Sequence, residues 1–174
     1  MKPWGQSTSG HGASKAEERW RRASLLLAQA RQRNREVAVV ILVEGRKDRD
    51  ALEQLGFVGP IEVLNRGWSV DDVLVDMVER YGRKNLHDDG PSMIVLMDWD
   101  RTGGRLQTQC RRNLESLDVR FDEELRQTLM VCLKPETRVV EGLKGLHDNL
   151  LPLMEIFDPT KMIEDAQDSE VHLP

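Results

Sequence analysis

A run of seven apolar residues that ends in a carboxylate constrains this chain more than any other feature. Residues 37–43 read Val-Ala-Val-Val-Ile-Leu-Val, and Glu44 follows at once. The run is mostly β-branched and too short to cross a membrane, so it predicts a strand that is buried on both faces. Strands of this kind are typical of parallel sheets, in which helices cover both sides.

A second apolar run of the same kind also ends in acids. Residues 93–97 run directly into Asp98 and Asp100. In open α/β sheets, ligands bind in the groove outside the carboxyl ends of the strands. We therefore expect Glu44, Asp98 and Asp100 to converge in that groove.

Strand and helix patterns alternate four times along the chain, which predicts the α/β class. We expect a compact Rossmann-like fold with right-handed crossovers, in which helices flank a mainly parallel four-stranded sheet. The helical stripe near the C-terminus includes Pro152, which is expected to kink or interrupt that helix. The predicted strands are 37–43, 61–64, 93–97 and 129–133.

With 174 residues the chain has room for one domain plus tails. No apolar run approaches the roughly 20 residues that span a bilayer, and the N-terminus lacks the apolar core of a signal peptide. We therefore expect a cytoplasmic protein without a membrane partner. The predicted parts are a disordered tail at 1–14, an amphipathic helix at 15–36, the main domain at 37–158 and an acidic tail at 159–174.

The net charge of −5 argues against a protein that coats nucleic acid through its overall charge. The charge is uneven, however, because residues 15–36 carry seven basic residues against three acidic ones. This helix is therefore a candidate surface for phosphate contacts, tested by charge reversal at Arg31, Arg33 and Arg35. A solvated helix face is an equally simple interpretation.

Cysteine and histidine do not form a recognisable metal site. Cys110 and Cys132 lack the paired spacing of a zinc site and are expected to be buried thiols. The four histidines are scattered and match no ligand pattern. Any metal in this protein is therefore expected to be bound by carboxylates.

The acidic residues after the two strands suit a hard cation. Asp98 and Asp100 are two apart, so on an extended segment both side chains leave the same face. Mg²⁺, or Mn²⁺ in its place, prefers carboxylate oxygens together with water and substrate phosphate. Glu44 could complete the site or act as a general acid/base. The simpler alternative is that Asp98 and Asp100 cap a helix and Glu44 is solvated.

Residues beside these acids suit a phosphate. Gly45, Gly103 and Gly104 would let backbone N–H groups approach it, and Arg101 could neutralise its charge. Acids for a metal and donors for a phosphate together favour phosphoryl transfer.

At this point the motifs resemble a known family. Glu44-Gly-Arg-Lys-Asp48 and Asp98-Trp-Asp100-Arg101-Thr-Gly103, each after an apolar strand, resemble the Toprim domain. That domain is shared by type IA and type II topoisomerases, bacterial-type primases, OLD-family nucleases and the ribonuclease that matures ribosomal RNA. The resemblance covers about residues 37–145, and small stand-alone Toprim proteins of archaea are the most similar in length. Further matches are Asn65-Arg66-Gly67 and Val140-Glu141.

The resemblance implies a role for each matching residue. Glu44 would be the general acid/base and at times a metal ligand, and Asp98 and Asp100 would coordinate Mg²⁺. Arg101 matches a basic residue for which a phosphate contact is expected, and Gly67 lies in the family's intervening glycine segment. Gly104 is a departure, since topoisomerases often have Glu at this position.

Absences narrow the function. A topoisomerase needs a nucleophilic tyrosine, and the single tyrosine, Tyr81, falls on the core stripe of a predicted helix. A bacterial-type primase needs a larger catalytic core than this chain can hold. No P-loop sequence occurs, so ATP hydrolysis of the P-loop kind is not indicated. A metal-dependent nuclease, or a related nucleotidyl- or phosphoryl-transfer enzyme acting on DNA or RNA, remains.

Two other functions stay open. Asp98-Trp-Asp100-Arg-Thr102 also fits the D-x-D-x-T motif of haloacid-dehalogenase-like phosphatases, with Asp98 as nucleophile. A Toprim-like module could instead bind metal and nucleic acid, a protein partner or a second copy without turnover. Trp68 and Trp99 lie beside the predicted groove, where core or lid packing is the simpler expectation and base stacking the alternative.

Overall fold

A four-stranded parallel sheet lies at the centre of the chain, and helices cover both of its faces. The computed structural model describes residues 14–158, so nearly all of the predicted N-terminal tail and the whole predicted acidic tail lie outside the described residues. The strands are β1 (Val40–Val43), β2 (Ile61–Val63), β3 (Met93–Val95) and β4 (Phe121–Asp122); the α-helices are α1 (Lys15–Glu36), α2 (Arg46–Gln54), α3 (Val70–Tyr81), α4 (Arg101–Ser116), α5 (Glu124–Leu133) and α6 (His147–Phe157); a 3₁₀ helix spans Val140–Leu146.

The spatial order of the strands is β2-β1-β3-β4, and every neighbouring pair is parallel. The predicted α/β class, with helices flanking a four-stranded parallel sheet, is thus confirmed. In the register of the two central strands, Leu42 pairs with Val95. Because β1 and β3 are neighbours that point the same way, the segments that begin at Glu44 and Asp98 leave the sheet side by side.

The two central strands, β1 and β3, are buried on both faces, as the apolar runs predict. Ile41 and Val43 belong to the core cluster under α1, α2, α5 and α6, whereas Val40 and Leu42 belong to the cluster under α3 and α4. Alternate residues of one strand therefore serve two cores, which explains why the run has no polar position. Within residues 14–158 no helix is long and apolar enough to cross a membrane.

The strand predicted at 129–133 is wrong, because these residues form the end of α5. Leu125, Leu129, Cys132 and Leu133 are buried at helical spacing, while Val131 is 63% exposed. A short continuous apolar run does not distinguish a strand from a buried helical turn. The fourth strand is instead the two-residue β4, which pairs with the start of β3.

The side chain of Gln107 extends the ladder of β3 where β4 has stopped. Its Nε2 donates to the carbonyl oxygen of Val95 at 3.2 Å, and its Oε1 accepts from the N–H of Met97 at 3.2 Å. The Nε2 also donates to Glu123 at 2.9 Å. The chain that leads from β3 to Asp98 is therefore held on this side by α4 rather than by a strand.

The C-terminal helical segment is divided, but not at the proline. The 3₁₀ helix ends at Leu146, α6 begins at His147, and α6 continues through Pro152. The predicted interruption at Pro152 is therefore wrong, whereas a kink there stays a prediction. The carbonyl that Pro152 leaves without a helical partner is that of Asp148, which is an exposed residue.

The end of α6 is fastened to α1 by a buried ion pair. Asp158 accepts hydrogen bonds from Arg31 Nε at 2.8 Å and from Arg35 Nη2 at 2.8 Å, and its side chain is 2% exposed. Burial would raise the pKa of Asp158, but the hydrogen bonds from Arg35 and Arg31 outweigh it and hold the pKa below its usual value. The helix predicted at 15–36 is thus a structural part of the domain.

Candidate active site

Glu44 and Asp98 meet directly at the carboxyl ends of β1 and β3. The N–H of Asp98 donates a hydrogen bond to Glu44 Oε1 at 3.0 Å. This contact exists because the neighbouring strands release the two segments at the same edge of the sheet. The convergence of these two predicted residues is therefore present in the structure.

Asp98 is held through its backbone and its side chain by three different elements. Its N–H is bound by Glu44, its carbonyl oxygen accepts from Arg126 Nη2 at 3.0 Å, and its Oδ1 accepts from the N–H of Val140 at 2.7 Å. The neighbouring Trp99 is buried, and its Nε1 donates to the carbonyl oxygen of Thr137 at 2.7 Å. The segment that contains Val140 is thus docked against the acidic turn.

Asp100 is the N-cap of α4, as the simpler alternative for this residue required. Its Oδ1 accepts from the N–H of Gly103 at 2.7 Å. Asp100 nevertheless lies close enough to Glu44 and Asp98 for its negative charge to raise the pKa of both. Capping and membership of the acidic site therefore coexist in this residue.

Asp48 is a fourth acid of the site that sequence reasoning missed. It lies in the first turn of α2, 5% exposed, where its Oδ2 accepts from the N–H of Gly45 at 3.0 Å. Its Oδ1 accepts from the N–H of Glu141 at 3.0 Å. The available signal was the spacing of four from Glu44, which brings an acid in the first helical turn back towards the end of the strand.

Burial opposes the ionisation of Glu44, Asp48 and Asp98 and raises the pKa of each. Burial raises the pKa of Asp98 to about 7, against the hydrogen bond from Val140, and the charges of Asp48, Glu44 and Asp100 add to the rise. Burial also raises the pKa of Glu44 and of Asp48 above the usual values. Neighbouring carboxylates in this state gain stability from a proton or a cation.

The carboxylate oxygens of Glu44, Asp98 and Asp100 suit Mg²⁺, but these side chains do not surround one position as a complete metal site does. Within residues 14–158 no three acidic, thiol or imidazole side chains are arranged to hold a metal ion. Each predicted ligand still keeps one oxygen that accepts no hydrogen bond from a described residue: Glu44 Oε2, Asp98 Oδ2 and Asp100 Oδ2. The residues therefore suit a Mg²⁺ bound by one or two carboxylates together with water and phosphate.

Arg126 is a second residue that sequence reasoning missed. It comes from α5, is 8% exposed, and donates to the backbone carbonyls of Met97 and Asp98. Burial lowers the pKa of its guanidinium below the usual value, and the charges of Glu44 and Asp98 oppose that shift. No sequence signal placed Arg126 here, because its partners are backbone carbonyls 29 and 28 positions away in the sequence.

The predicted phosphate-binding residues have different environments. The N–H groups of Gly45 and Gly103 are already bound by Asp48 and Asp100, so in this structure neither points to an open phosphate position. Gly103 serves another purpose, because a Cβ there would overlap the carbonyl oxygen of Asp98. Gly67 has a φ of 83° and is exposed, and Arg101 is exposed at the start of α4.

Three of the seven basic residues predicted on α1, namely Arg31, Arg33 and Arg35, are not free for phosphate. Arg31 and Arg35 bind Asp158, and Arg33 donates to Asp88 at 2.8 Å. Charge reversal at these positions would break ion pairs within the domain, so it does not test nucleic-acid binding alone. The structure therefore removes the main argument for α1 as the substrate surface.

Trp68 and Trp99 differ, although sequence reasoning treated them alike. Trp99 packs in the core, as the simpler expectation stated. Trp68 is 56% exposed, and the guanidinium of Arg66 lies 4.8 Å from the centre of its ring. Trp68 is therefore available at the surface.

Comparison with known proteins places the chain among relatives of its own size. No protein-family profile matches the chain. A UPF0292 protein of Thermococcus onnurineus is 31% identical over 125 residues, which are 72% of this chain and 84% of the relative. A UPF0292 protein of Thermococcus sibiricus is 31% identical over 121 residues, which are 70% of this chain and 87% of the relative.

A solved structure supports the same fold. A protein from Aquifex aeolicus superposes with a TM-score of 0.53 at 27% identity, over 68% of this chain and 94% of that chain. The α/β architecture is therefore shared with a related sequence of known structure. The identity to the two Thermococcus proteins, over more than two thirds of each chain, shows that this chain belongs to the UPF0292 family.

Proposed function

We propose that this protein is a Toprim-like enzyme that transfers phosphoryl or nucleotidyl groups on nucleic acid with Mg²⁺ or Mn²⁺, and most simply a nuclease. The observation that carries the proposal is the cluster formed by Glu44, Asp48, Asp98 and Asp100, in which burial and mutual repulsion raise the pKa of Asp98 to about 7. Structural acids are normally paired with bases, so a cluster of acids that repel one another favours a functional role. A cytoplasmic location belongs to the same proposal.

Each residue has a role that its contacts support. Asp98 Oδ2 and Asp100 Oδ2 are the oxygens that would face a cation. A bound Mg²⁺ supplies positive charge that stabilises the phosphate oxygens in the transition state. Glu44 Oε2 would take the proton from the attacking water, because Glu44 Oε1 is fixed by the N–H of Asp98 and the raised pKa makes the carboxylate a stronger base.

Exposed cations beside the acids favour a phosphate-rich substrate. Arg46 and Arg101 are exposed at the starts of α2 and α4, directly after the two acid-bearing turns. Both helix N-termini add a partial positive charge at the same edge of the sheet. A nucleic-acid backbone that passes over the acids would contact cations on both sides.

The test is cleavage of labelled single- and double-stranded RNA and DNA by the full chain, with Mg²⁺, with Mn²⁺ and with chelator. Glu44→Gln and Asp98→Asn each remove one charge without changing shape, and Glu79→Gln is the matched control because Glu79 is exposed on α3. We expect metal-dependent cleavage that falls by about a hundredfold or more in both site variants and is unchanged in Glu79→Gln. Equal cleavage by wild type and both site variants would contradict the proposal.

A second candidate is a module that binds metal and nucleic acid, or a protein partner, without turnover. It is favoured by the N–H groups of Gly45 and Gly103, which are bound by Asp48 and Asp100 and so do not point at a phosphate beside the acids. Metal-dependent binding that is lost in Asp98→Asn, without cleavage by wild type, would establish it. Turnover of a small phosphate ester with covalent labelling of Asp98 would instead establish the phosphatase alternative.

A further inference from the structure

A groove runs along the outer edge of the sheet, between α2 and the turn after β2. It has a volume of about 390 Å³ and is lined by β2 together with Arg46, Arg49, Asn65 and Arg66. We call it the β2-edge groove. β2 is the terminal strand on this side of the sheet, so no other strand of the described residues pairs with its outer edge.

The β2-edge groove leads into the acidic site. The N–H of Asn65 donates to the carbonyl oxygen of Glu44 at 2.9 Å, and the N–H of Leu64 donates to that of Val43 at 2.8 Å. Arg46, two residues after Glu44, lines the groove at this end. A chain that lies in the groove beside Arg46 and Asn65 is therefore next to the strand end that carries Glu44.

Trp68 stands beside the groove on a fixed support. The guanidinium of Arg66 lies 4.8 Å from the ring centre of Trp68 and is itself held by Glu62 at 3.1 Å and by Asp76 at 3.0 Å. One ring face is thus covered by a cation whose position is fixed, while 56% of the residue is exposed. The remaining surface of the ring can stack on a planar group at little cost in side-chain order.

Not every arginine of the β2-edge groove forms a close ion pair with an acid of the described residues. Arg46 forms no ion pair in the described part of the chain, and Arg49 is 3.9 Å from the exposed Glu53. The acids nearest Trp68 are compensated, since Arg66 and Arg80 bind both Glu62 and Asp76. The groove therefore presents positive charge at the end next to the acidic site.

We propose that the β2-edge groove and Trp68 bind a single-stranded segment of the substrate, with Arg46 and Arg49 on its phosphates and a base stacked on Trp68. This proposal rests on the proposed function, because it names the substrate of the same site. A positive groove beside an exposed aromatic ring is the arrangement by which proteins hold single strands. Bases inside a duplex are stacked on one another, so they are not available to stack on the ring of Trp68.

A protein strand added to β2 is the competing occupant of this edge. β2 has only three residues, which offers a short ladder, and strand addition gives no role to Trp68 or Arg46. The charge and the exposed ring favour nucleic acid.

Fluorescence anisotropy with labelled oligonucleotides of about 16 nucleotides tests the groove. The full chain carries Glu44→Gln to prevent turnover, and single strands of RNA and DNA are compared with duplexes of the same length. The test variants are Trp68→Ala, Trp68→Phe and Arg46→Glu. The controls are Leu86→Ala, at an apolar residue 88% exposed, and Arg22→Glu, at an exposed cation of α1.

We expect Trp68→Ala to weaken single-strand binding by about tenfold and Trp68→Phe to restore most of it, with duplex binding unchanged. Arg46→Glu should weaken single-strand binding and reduce the dependence of log affinity on log salt by about 0.7 or more. Both controls should bind as the parent does. Single-strand affinity that is unchanged in Trp68→Ala, or that falls equally for duplexes, would overturn the proposal.

Failure of this inference is distinguishable from failure of the proposed function. Metal-dependent cleavage by wild type, together with unchanged binding by Trp68→Ala, would contradict the groove as the binding site and support the proposed enzyme activity. Single-strand binding that depends on Trp68, without cleavage by wild type with either metal, would support the groove as the binding site and contradict the proposed enzyme activity. Binding of a protein strand in place of nucleic acid, unaffected by Arg46→Glu, establishes the competing occupant.

Discussion

Asp48 Oδ1 accepts a hydrogen bond from the backbone N–H of Glu141 at 3.0 Å, which joins residues 93 positions apart. The same carboxylate caps α2 through the N–H of Gly45. Asp48 therefore links the turn after Glu44 to the 3₁₀ helix, and Val140 of that helix in turn binds Asp98. The spacing of the acids is set by this chain of contacts as well as by the sheet.

Asp48→Ala should destabilise the fold and loosen the site. The change removes a cap from α2 and leaves the N–H of Glu141 without its acceptor, so we expect a loss of about 2 kcal/mol in the free energy of unfolding by urea. Asp50→Ala is the control, because Asp50 is exposed on the same helix. Equal stability of the two variants would show that the Asp48 link carries no weight.

Asp98→Asn should stabilise the metal-free protein at and above neutral pH. The folded-state pKa of about 7 lies above the usual value of about 4, so the folded protein binds the extra proton between these values. The stability of wild type in chelator should therefore fall as pH rises from about 4 to 7 and stay low above that.

Asn at position 98 removes this dependence and keeps an acceptor for Val140. Because Asp98 is only half-buried, we expect a gain on the order of 1 kcal/mol at pH 8. Urea unfolding in chelator from pH 4 to 8 measures it, and Mg²⁺ should then stabilise wild type but not the variant. The idea fails when the pH profiles of both proteins coincide.

Gly103→Ala should distort the site, whereas Gly104→Ala should not. A Cβ on Gly103 would overlap the backbone of Asp98, and one on Gly104 has Arg126 Nη2 as its nearest neighbour at 3.8 Å. We expect Gly103→Ala to cost about 2 kcal/mol or more, and Gly104→Ala to be neutral or stabilising by up to about 1 kcal/mol. Thermal unfolding compares the pair, and similar midpoints would refute the close contact.

Asp158→Asn should weaken the attachment of α6 to α1. Asp158 is buried with Arg31 and Arg35, and removal of one partner from a buried ion pair costs about 3 kcal/mol. Because the pKa of Asp158 is below its usual value, its contribution is present above about pH 4 and is lost as pH falls further.

Acid titration of unfolding free energy should therefore separate wild type from Asp158→Asn above pH 4 and bring them together below it. Glu155→Gln, which removes a weaker contact to Arg31 at 3.4 Å, should have a smaller effect. A constant difference between wild type and Asp158→Asn down to pH 2 would contradict the assignment.

Only strands long enough to show a hydrophobic pattern in the sequence could be predicted. Residues 37–43 carry β1 because two cores require apolar residues on both faces. Two residues, Phe121 and Asp122, are too few to carry a periodic signal, so β4 was not predicted. The five apolar residues at 129–133 fit a strand or a helix. Only when Leu125 is considered with them does the spacing Leu125, Leu129, Cys132 indicate a helix.

The site was predictable where it follows from strand ends and not where it follows from tertiary contacts. Glu44 and Asp98 come directly after neighbouring strands, so their proximity follows from topology. Asp48 and Arg126 act through backbone groups of Glu141 and Asp98, far away in the sequence. No local pattern contains these contacts, so Arg126 required the structure; for Asp48 the spacing of four from Glu44 was the only local signal.

Gln107 has a further consequence for the amino acids that this fold accepts. Its amide must donate to Val95 and accept from Met97 at once, which Leu cannot do and Glu can do only in part, beside the negative charge of Glu123. Asn has both groups but is one methylene too short to reach from α4. Position 107 therefore favours glutamine over the residues nearest to it in size, and the short β4 makes the end of β3 depend on one side chain of α4.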